Sequence, residues 1–183
     1  MPIRLSGAQI ESYGKDGFCS PIDVMPESEA TDLRLRLEDM EARFPDALNP
    51  LQRNNTHLIV SVIDEITHHP VILDAVEDII GPDIMVHGSV LFIKEAGDPG
   101  FVSWHQDATY MGLEPHDGIT AWLALSPSTR ESGCMSMLPG THRDPIRDHK
   151  DTFGENNILT RGQAIDVGED VEAVDLVLRP GQM

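Results

Sequence analysis

The chain has 183 residues, of which 31 are acidic and 13 are basic, so its formal net charge is −18. A negative surface repels phosphate groups, and the composition therefore argues against nucleic-acid-binding proteins and proteins of anionic membrane surfaces. No apolar run is long enough to span a bilayer, and the N-terminus lacks the apolar core of a secretory signal. We expect a soluble, cytoplasmic protein.

The length predicts a single domain, residues 1–183, that is large enough to bury its own core. Its two cysteines, Cys19 and Cys134, lie far apart and show no metal-ligand spacing. We expect both to be reduced thiols rather than partners in a disulfide framework.

The first 82 residues are expected to be mainly helical. A helix is predicted from Pro26 to Pro45, because apolar residues recur there at helical spacing. Asn54-Asn55-Thr56 is a candidate cap for a second helical stretch, which should end near His68-His69-Pro70. A third, short helix is predicted from Val71 to Ile80 and ends at a Gly-Pro stop signal.

Residues 83–183 have the composition of β-structure. Short segments rich in β-branched and aromatic residues predict strands at Ile84–Ile93, Phe101–Trp104, Ile119–Leu125, Cys134–Leu138 and Val174–Leu178. Short strands at this spacing are typical of a sandwich or a barrel. From Pro145 to Gly168 the pattern gives way to charged and small residues, and we predict that this long excursion helps to cover a substrate pocket.

The most distinctive motif is Trp104-His105-Gln106-Asp107, at the end of a predicted strand. In an extended chain, residues two apart point to the same face, so the His105 and Asp107 side chains should converge. One imidazole and one carboxylate can supply two of the three ligands of a 2-His-1-carboxylate iron site. His-x-Asp alone also occurs by chance in many soluble proteins, so the motif needs its context.

That context resembles the phytanoyl-CoA dioxygenase family. The matching segments are Asp16-Gly17-Phe18, Gly81–Met85, Trp104–Asp107 with Tyr110, Ala121–Leu125, Gly133-Cys134-Met135 and Leu138–His142. Their order and approximate spacing agree with the family across nearly the whole chain. The resemblance implies a double-stranded β-helix, that is, a jelly-roll or cupin-like barrel, with the N-terminal helices packed outside it. It also implies Fe(II), 2-oxoglutarate as co-substrate and O2.

The resemblance makes His105 and Asp107 the expected iron ligands, and it suggests other residues for the co-substrate pocket. Trp122 matches a family position near 2-oxoglutarate, although a core tryptophan in an apolar strand fits its spacing equally well. Lys94 resembles a lysine near the co-substrate in some members, but an exposed lysine at a strand end fits its position at least as well. Thr109 follows the ligand pair closely enough to line the pocket, or it is ordinary strand material.

The other histidines are expected to be structural. His142, in the Leu138–His142 signature, either orients groups around the metal or is a satisfied structural histidine, and the second reading is favoured. His149 and the remaining histidines have no partner at ligand spacing, so we expect surface or capping positions for most of them.

The function that the resemblance implies is Fe(II)- and 2-oxoglutarate-dependent hydroxylation of a small or carrier-linked aliphatic substrate, with succinate and CO2 as co-products. One alternative is a related non-heme iron halogenase. Asp107 argues against it, since those enzymes replace this carboxylate with a small residue. Another alternative is a non-catalytic or inactive jelly-roll fragment.

The last residues raise a further expectation. The family places its second histidine ligand, and then a 2-oxoglutarate-binding arginine, after a Pro-Gly entry much like Arg179–Met183. We therefore expect these 183 residues to be a C-terminally truncated piece of the domain, with the last strands missing. Such a piece would bind iron at most weakly, and it would expose a sheet edge that favours aggregation.

Overall fold

The computed structural model describes residues 2–45, 54–159, 161–168 and 170–183. Five α-helices lie in these residues: α1 (Gly7–Asp16), α2 (Glu27–Arg43), α3 (Ser61–Thr67), α4 (Pro70–Ile80) and α5 (Ala108–Met111). Short 3₁₀ turns occur at Thr56–Leu58 and Thr141–Arg143. The strands are β1 (Ser136–Met137), β2 (Lys150–Asp151), β3 (Gln163–Ala164) and β4 (Val174–Asp175).

Helices α2 and α4 follow the predicted pattern. Pro26 is the N-cap of α2, and the acidic first turn complements the positive end of the helix dipole. Ala30, Leu33 and Leu37 form its buried face. Helix α4 begins with Pro70 and stops at Gly81, whose φ of 86° is accessible mainly to glycine. Both predicted helices are confirmed.

Helix α1 was not predicted from the apolar pattern. It begins with a capping box, in which the Gln9 amide donates to the Ser6 hydroxyl and the Ser6 amide donates to the Gln9 side chain. The sequence signal was therefore Ser6-x-x-Gln9 rather than an apolar stripe. The helix ends at Gly17, which adopts the left-handed conformation.

The second predicted helical stretch is broken into two pieces. Thr56–Leu58 forms a 3₁₀ turn, and α3 begins only at Ser61. The break falls at Val60, which has extended backbone angles and a buried side chain. Burying the Val60 side chain in the core contributes more to stability than continuing the helix through this β-branched residue would.

The main core lies among the helices and the residues leading into α2. Its buried members are Val24, Met25, Ala30, Leu33, Leu37, Val60, Val62, Ile63, Ile72 and Val76. Half-buried apolar residues from 84–91 and 119–125 pack against it, so the core joins the helical layer to the second half of the chain. Among the described helices, none is long and apolar enough to cross a membrane.

The β-structure is smaller than the sequence predicted. β1 pairs antiparallel with β4, matching Ser136 with Asp175, and this agrees with two of the predicted strands. In the described residues, 84–93 and 119–125 form no strand and contribute only isolated bridges and hydrogen bonds. Their composition suits a strand, but a ladder also requires a neighbouring backbone in register, and the two described sheets have two strands each.

The excursion from Pro145 to Gly168 contains regular structure after all. Its strands β2 and β3 pair antiparallel, matching Lys150 with Ala164. The Phe101 amide donates to the Asn156 carbonyl, and the Ile165 amide donates to the Trp104 carbonyl. This excursion therefore lies along the segment that leads into the His-x-Asp motif.

The last residues tie the two halves together. The Val24 amide donates to the Gly181 carbonyl, and the Gly181 amide donates to the Ala124 carbonyl. The buried Gln182 side chain donates to the Asp23 carboxylate at 2.7 Å. Residues 181–183 thus lie between the entry to α2 and the segment that includes Ala124.

Candidate metal centre

His105 and Asp107 converge in the structure. The distance from His105 Nε2 to Asp107 Oδ1 is 3.2 Å. The local backbone differs from the predicted strand end, because Asp107 has helical angles (φ −55°, ψ −37°) and directly precedes α5. A bend into this short helix, rather than the alternation of a strand, therefore brings the two side chains together.

Each side chain is held by a second contact. His105 Nδ1 lies 2.8 Å from the Ser103 carbonyl, which can only accept, so Nδ1 carries the hydrogen. Nε2 then faces Asp107. The Thr120 hydroxyl donates to Asp107 Oδ2 at 2.8 Å and leaves Oδ1 turned towards the imidazole.

The contact raises the pKa of His105 and lowers the pKa of Asp107. The hydrogen bond to Asp107 raises the pKa of His105, with a further contribution from the Ser103 carbonyl, and these outweigh the effect of burial. The hydrogen bond from His105 lowers the pKa of Asp107, as does that from Thr120, although burial opposes both. The pair therefore favours a positively charged group, such as a proton, between His105 Nε2 and Asp107 Oδ1.

The arrangement fits a metal cation as well as a proton. With the hydrogen on Nδ1, a neutral His105 points its Nε2 lone pair at a carboxylate oxygen, and two such electron-rich atoms at 3.2 Å need a positive charge between or beside them. Neutral imidazole and carboxylate are the ligand types of non-heme iron sites. In the part of the chain that the structure describes, no cluster of three or more His, Cys, Asp or Glu side chains could hold a metal, and His105 and Asp107 form a candidate pair.

Two neighbours that sequence reasoning missed complete the surroundings of the pair. Thr120 contacts Asp107 from 13 residues away, and His149 bonds to the amide of Gln106 from 43 residues away. The Tyr110 ring contacts both histidines, and its centroid lies 5.9 Å from that of His105 and 6.0 Å from that of His149. No spacing rule could have found these contacts, because chain folding alone creates them.

The predicted co-substrate residues have different environments. The Thr109 hydroxyl lies 3.2 Å from His149 Nδ1 and is thus close to the pair. The Lys94 ammonium lies in the space that a Cβ on Gly133 would fill. Trp122 is half-buried, two residues after Thr120. Among the described residues, neither Lys94 nor Trp122 forms a hydrogen bond with His105 or Asp107.

The Leu138–His142 signature packs against α1. The Gly140 amide donates to the Asp16 carbonyl, and the Arg143 guanidinium donates to the Lys15 carbonyl. The His142 ring lies against Gly17. The signature thus satisfies carbonyls at the end of a helix, and this favours the structural alternative for His142.

Comparison with known proteins identifies the family. The family model described as phytanoyl-CoA dioxygenase matches residues 13–183. The chain belongs to the phytanoyl-CoA dioxygenase family. It is 31% identical over 97 residues to a probable alpha-ketoglutarate-dependent hypophosphite dioxygenase of Stutzerimonas stutzeri, an alignment that covers 52% of this chain and 33% of the relative.

Solved structures support the same relationship. A non-heme monooxygenase, ThoJ in its apo form, superposes with a TM-score of 0.76 at 31% identity over 95% of this chain and 65% of that one. CytC3 with Fe(II) and alpha-ketoglutarate matches at 23% identity and a TM-score of 0.66, covering 100% of this chain and 66% of that one, and shows a shared fold. The fold is thus that of the family's cupin-like oxygenases. This chain covers between 33% and 55% of the length of the first three curated relatives.

Proposed function

We propose that the chain carries the metal-binding pair of an Fe(II)- and 2-oxoglutarate-dependent dioxygenase, with His105 and Asp107 as ligands. The observation that carries the proposal is the convergence of His105 Nε2 and Asp107 Oδ1, each fixed from behind by another group. Family membership supports it, as do the alpha-ketoglutarate dependence in the name of the Stutzerimonas relative and the non-heme description of ThoJ.

The residues of the chain have separate tasks in this proposal. The Ser103 carbonyl keeps His105 in the tautomer that offers Nε2, and loss of the Nε2 proton prepares the imidazole for a cation. Asp107 supplies a negative charge through Oδ1 while Thr120 orients its other oxygen. The bound iron, with 2-oxoglutarate and O2, would supply the oxidising chemistry, and the protein positions and shields the reactants.

The finer parts of the proposal concern the pocket, the fold and the substrate. Thr109, Lys94 and Trp122 are proposed to line the 2-oxoglutarate site, and Thr109 is supported by its closeness to His149. Residues 1–183 are proposed to form one domain built on the double-stranded β-helix of the family. The proposed substrate is a small or carrier-linked aliphatic molecule, and its hydroxylation would be coupled to the conversion of 2-oxoglutarate and O2 into succinate and CO2.

The proposal is tested by adding Fe(II) and 2-oxoglutarate to the protein without oxygen. A built site gives a weak visible charge-transfer absorption, which we expect in the wild type and not in Asp107→Ala. Asp117→Ala is the matched control, because it removes an exposed carboxylate of the same type ten residues away. Equal absorption in all three proteins would contradict the assignment of Asp107.

The alternative proposal is a jelly-roll module without catalytic activity. Succinate release with Fe(II), 2-oxoglutarate and O2 discriminates between the candidates. Release that depends on Asp107 supports the dioxygenase, whereas metal binding without release supports the module.

A further inference from the structure

Gln106, the residue between the two proposed ligands, is held from both its backbone and its side chain. Its amide donates to His149 Nε2 at 3.0 Å, and its side-chain oxygen accepts from the Arg147 amide at 2.8 Å. The two partners are 43 and 41 residues away along the chain. We call residues 147–149 together with Gln106 the clasp.

The chemistry of His149 is determined by its neighbours. Its Nδ1 lies 2.8 Å from the Arg147 carbonyl, which can only accept, so Nδ1 carries the hydrogen. Nε2 is then an acceptor and suits the Gln106 amide. The ring is half-buried and makes a T-shaped contact with the Tyr110 ring, with an angle of 78° between the two ring planes. A neutral histidine in one tautomer satisfies both contacts at once.

Residues 147–149 of the clasp belong to the excursion that contains β2 and β3, and they are anchored to its other end. The Arg147 guanidinium donates to the Asp166 carbonyl and to the Asp144 carboxylate. The Ile165 amide binds the Trp104 carbonyl, just before the ligand pair. The ligand segment is therefore bound on both sides of His105 by the same part of the chain.

We propose that His149 is a positioning residue for the metal site, acting through the peptide of Gln106. A peptide between two ligands sets their relative direction, because rotation about its flanking bonds moves the His105 imidazole and the Asp107 carboxylate apart. The His149 bond restricts that rotation before any metal arrives, so less order must be imposed on binding. This inference rests on the proposed function, since it assigns His149 a role towards the same cation.

Two polar substitutions separate the contacts of His149. His149→Asn retains an amide that can reach the Arg147 carbonyl, but it is too short to accept from Gln106. His149→Gln places an oxygen near the position of Nε2 and should restore that bond. His116→Asn is the control, because it makes the same replacement at an exposed histidine.

The first readout needs no metal. Hydrogen exchange of the Gln106 amide, followed by NMR in the presence of a chelator, should be about 5- to 10-fold faster in His149→Asn, as expected for loss of one hydrogen bond. The rate should return to within about twofold of the wild type in His149→Gln and stay unchanged in His116→Asn. An unchanged rate in His149→Asn would overturn the clasp.

The second readout is affinity for Mn(II), used as an oxygen-stable probe and measured from the broadening of NMR signals around Asp107. We expect about 10-fold weaker binding in His149→Asn and recovery in His149→Gln, in the range found for groups that orient metal ligands. Faster exchange without weaker binding would overturn the positioning role. Binding that is equal in the wild type and Asp107→Ala would instead contradict the proposed function, and the exchange rates would still decide whether the clasp exists.

Discussion

At the scale of single residues, the Thr120 hydroxyl is the contact that orients Asp107. It binds Oδ2 at 2.8 Å and helps to lower the pKa of the carboxyl group. Thr120→Val keeps the β-branched shape but removes the donor. We expect the pKa of Asp107 to rise and metal affinity to fall by about 10-fold.

The Thr120 prediction is measured by a carbon NMR titration of the Asp107 carboxyl group and by Mn(II) binding. Thr31→Val is the control, because the Thr31 hydroxyl donates to the Glu27 carbonyl within α2, on another element of the fold. An unchanged Asp107 pKa in Thr120→Val would show that the hydrogen bond is absent in solution.

The contact between His105 and Asp107 also allows a prediction of how pH affects the stability of the metal-free protein. The pKa of His105 is raised, so its contribution to stability is complete below its usual value near 6.5 and is lost as pH rises through the raised pKa. The pKa of Asp107 is lowered, so its contribution is complete above the usual value near 3.8 and is lost as pH falls through the lowered pKa. Both contributions are present between these two values.

Urea unfolding in the presence of a chelator measures how the free energy of unfolding of the metal-free protein depends on pH. The wild type should exceed His105→Asn in stability at about pH 5, and the difference should shrink by about pH 9. Metal affinity should change in the opposite direction and increase with pH, because the cation displaces the proton of His105. A stability difference that grows with pH would contradict the pairing.

The residue scale also shows what sequence reasoning could and could not find. His105 and Asp107 were predicted from a local motif and its family context, and the structure places them together. Thr120 and His149 were not, since each becomes a neighbour only through folding, and His149 resembled an ordinary surface histidine. The proposed roles of Lys94 and Trp122 remain predictions.

At the scale of elements, Gly181 permits the close contact between the last residues and the entry to α2. Its φ is +85°, and a Cβ there would collide with the Met25 carbonyl. Gly168 has a similar φ of +79°, but a Cβ there would meet no atom within 4 Å. Gly181→Ala should therefore cost more stability than Gly168→Ala, by about 1–3 kcal/mol. Equal midpoints in urea unfolding would contradict the close approach.

Elements with local signals were predicted best. Periodic apolar residues and flanking prolines marked α2 and α4, and both are present at nearly the expected bounds. The strands were harder, because composition identifies a segment that suits β-structure but does not provide its partner. Segments 84–93 and 119–125 illustrate this, whereas β1 pairs with β4, a strand that lies far away along the chain.

At the scale of the whole molecule, we expect the exposed apolar residues in segment 84–93 to promote self-association. Phe92 is 51% exposed and Met85 is 80% exposed, in a segment with little backbone pairing among the described residues. Phe92→Lys should reduce association at high protein concentration, measured by sedimentation velocity. Leu35→Lys is the matched control, because Leu35 is also 51% exposed but lies on helix α2. If Phe92→Lys and Leu35→Lys reduced association equally, the effect would come from the change in net charge alone.

The central claim is that His105 and Asp107 bind a divalent cation specifically in a strongly acidic molecule. Its most direct test is a Mn(II) titration followed by NMR, because acidic side chains bind divalent cations weakly over the whole surface and a bulk measurement would combine all such sites. We predict that amide signals of Trp104–Ala108 broaden before those of the acidic helix α2, and that Asp107→Ala removes this preference while leaving α2 unaffected. The same order of broadening in both proteins would contradict the account.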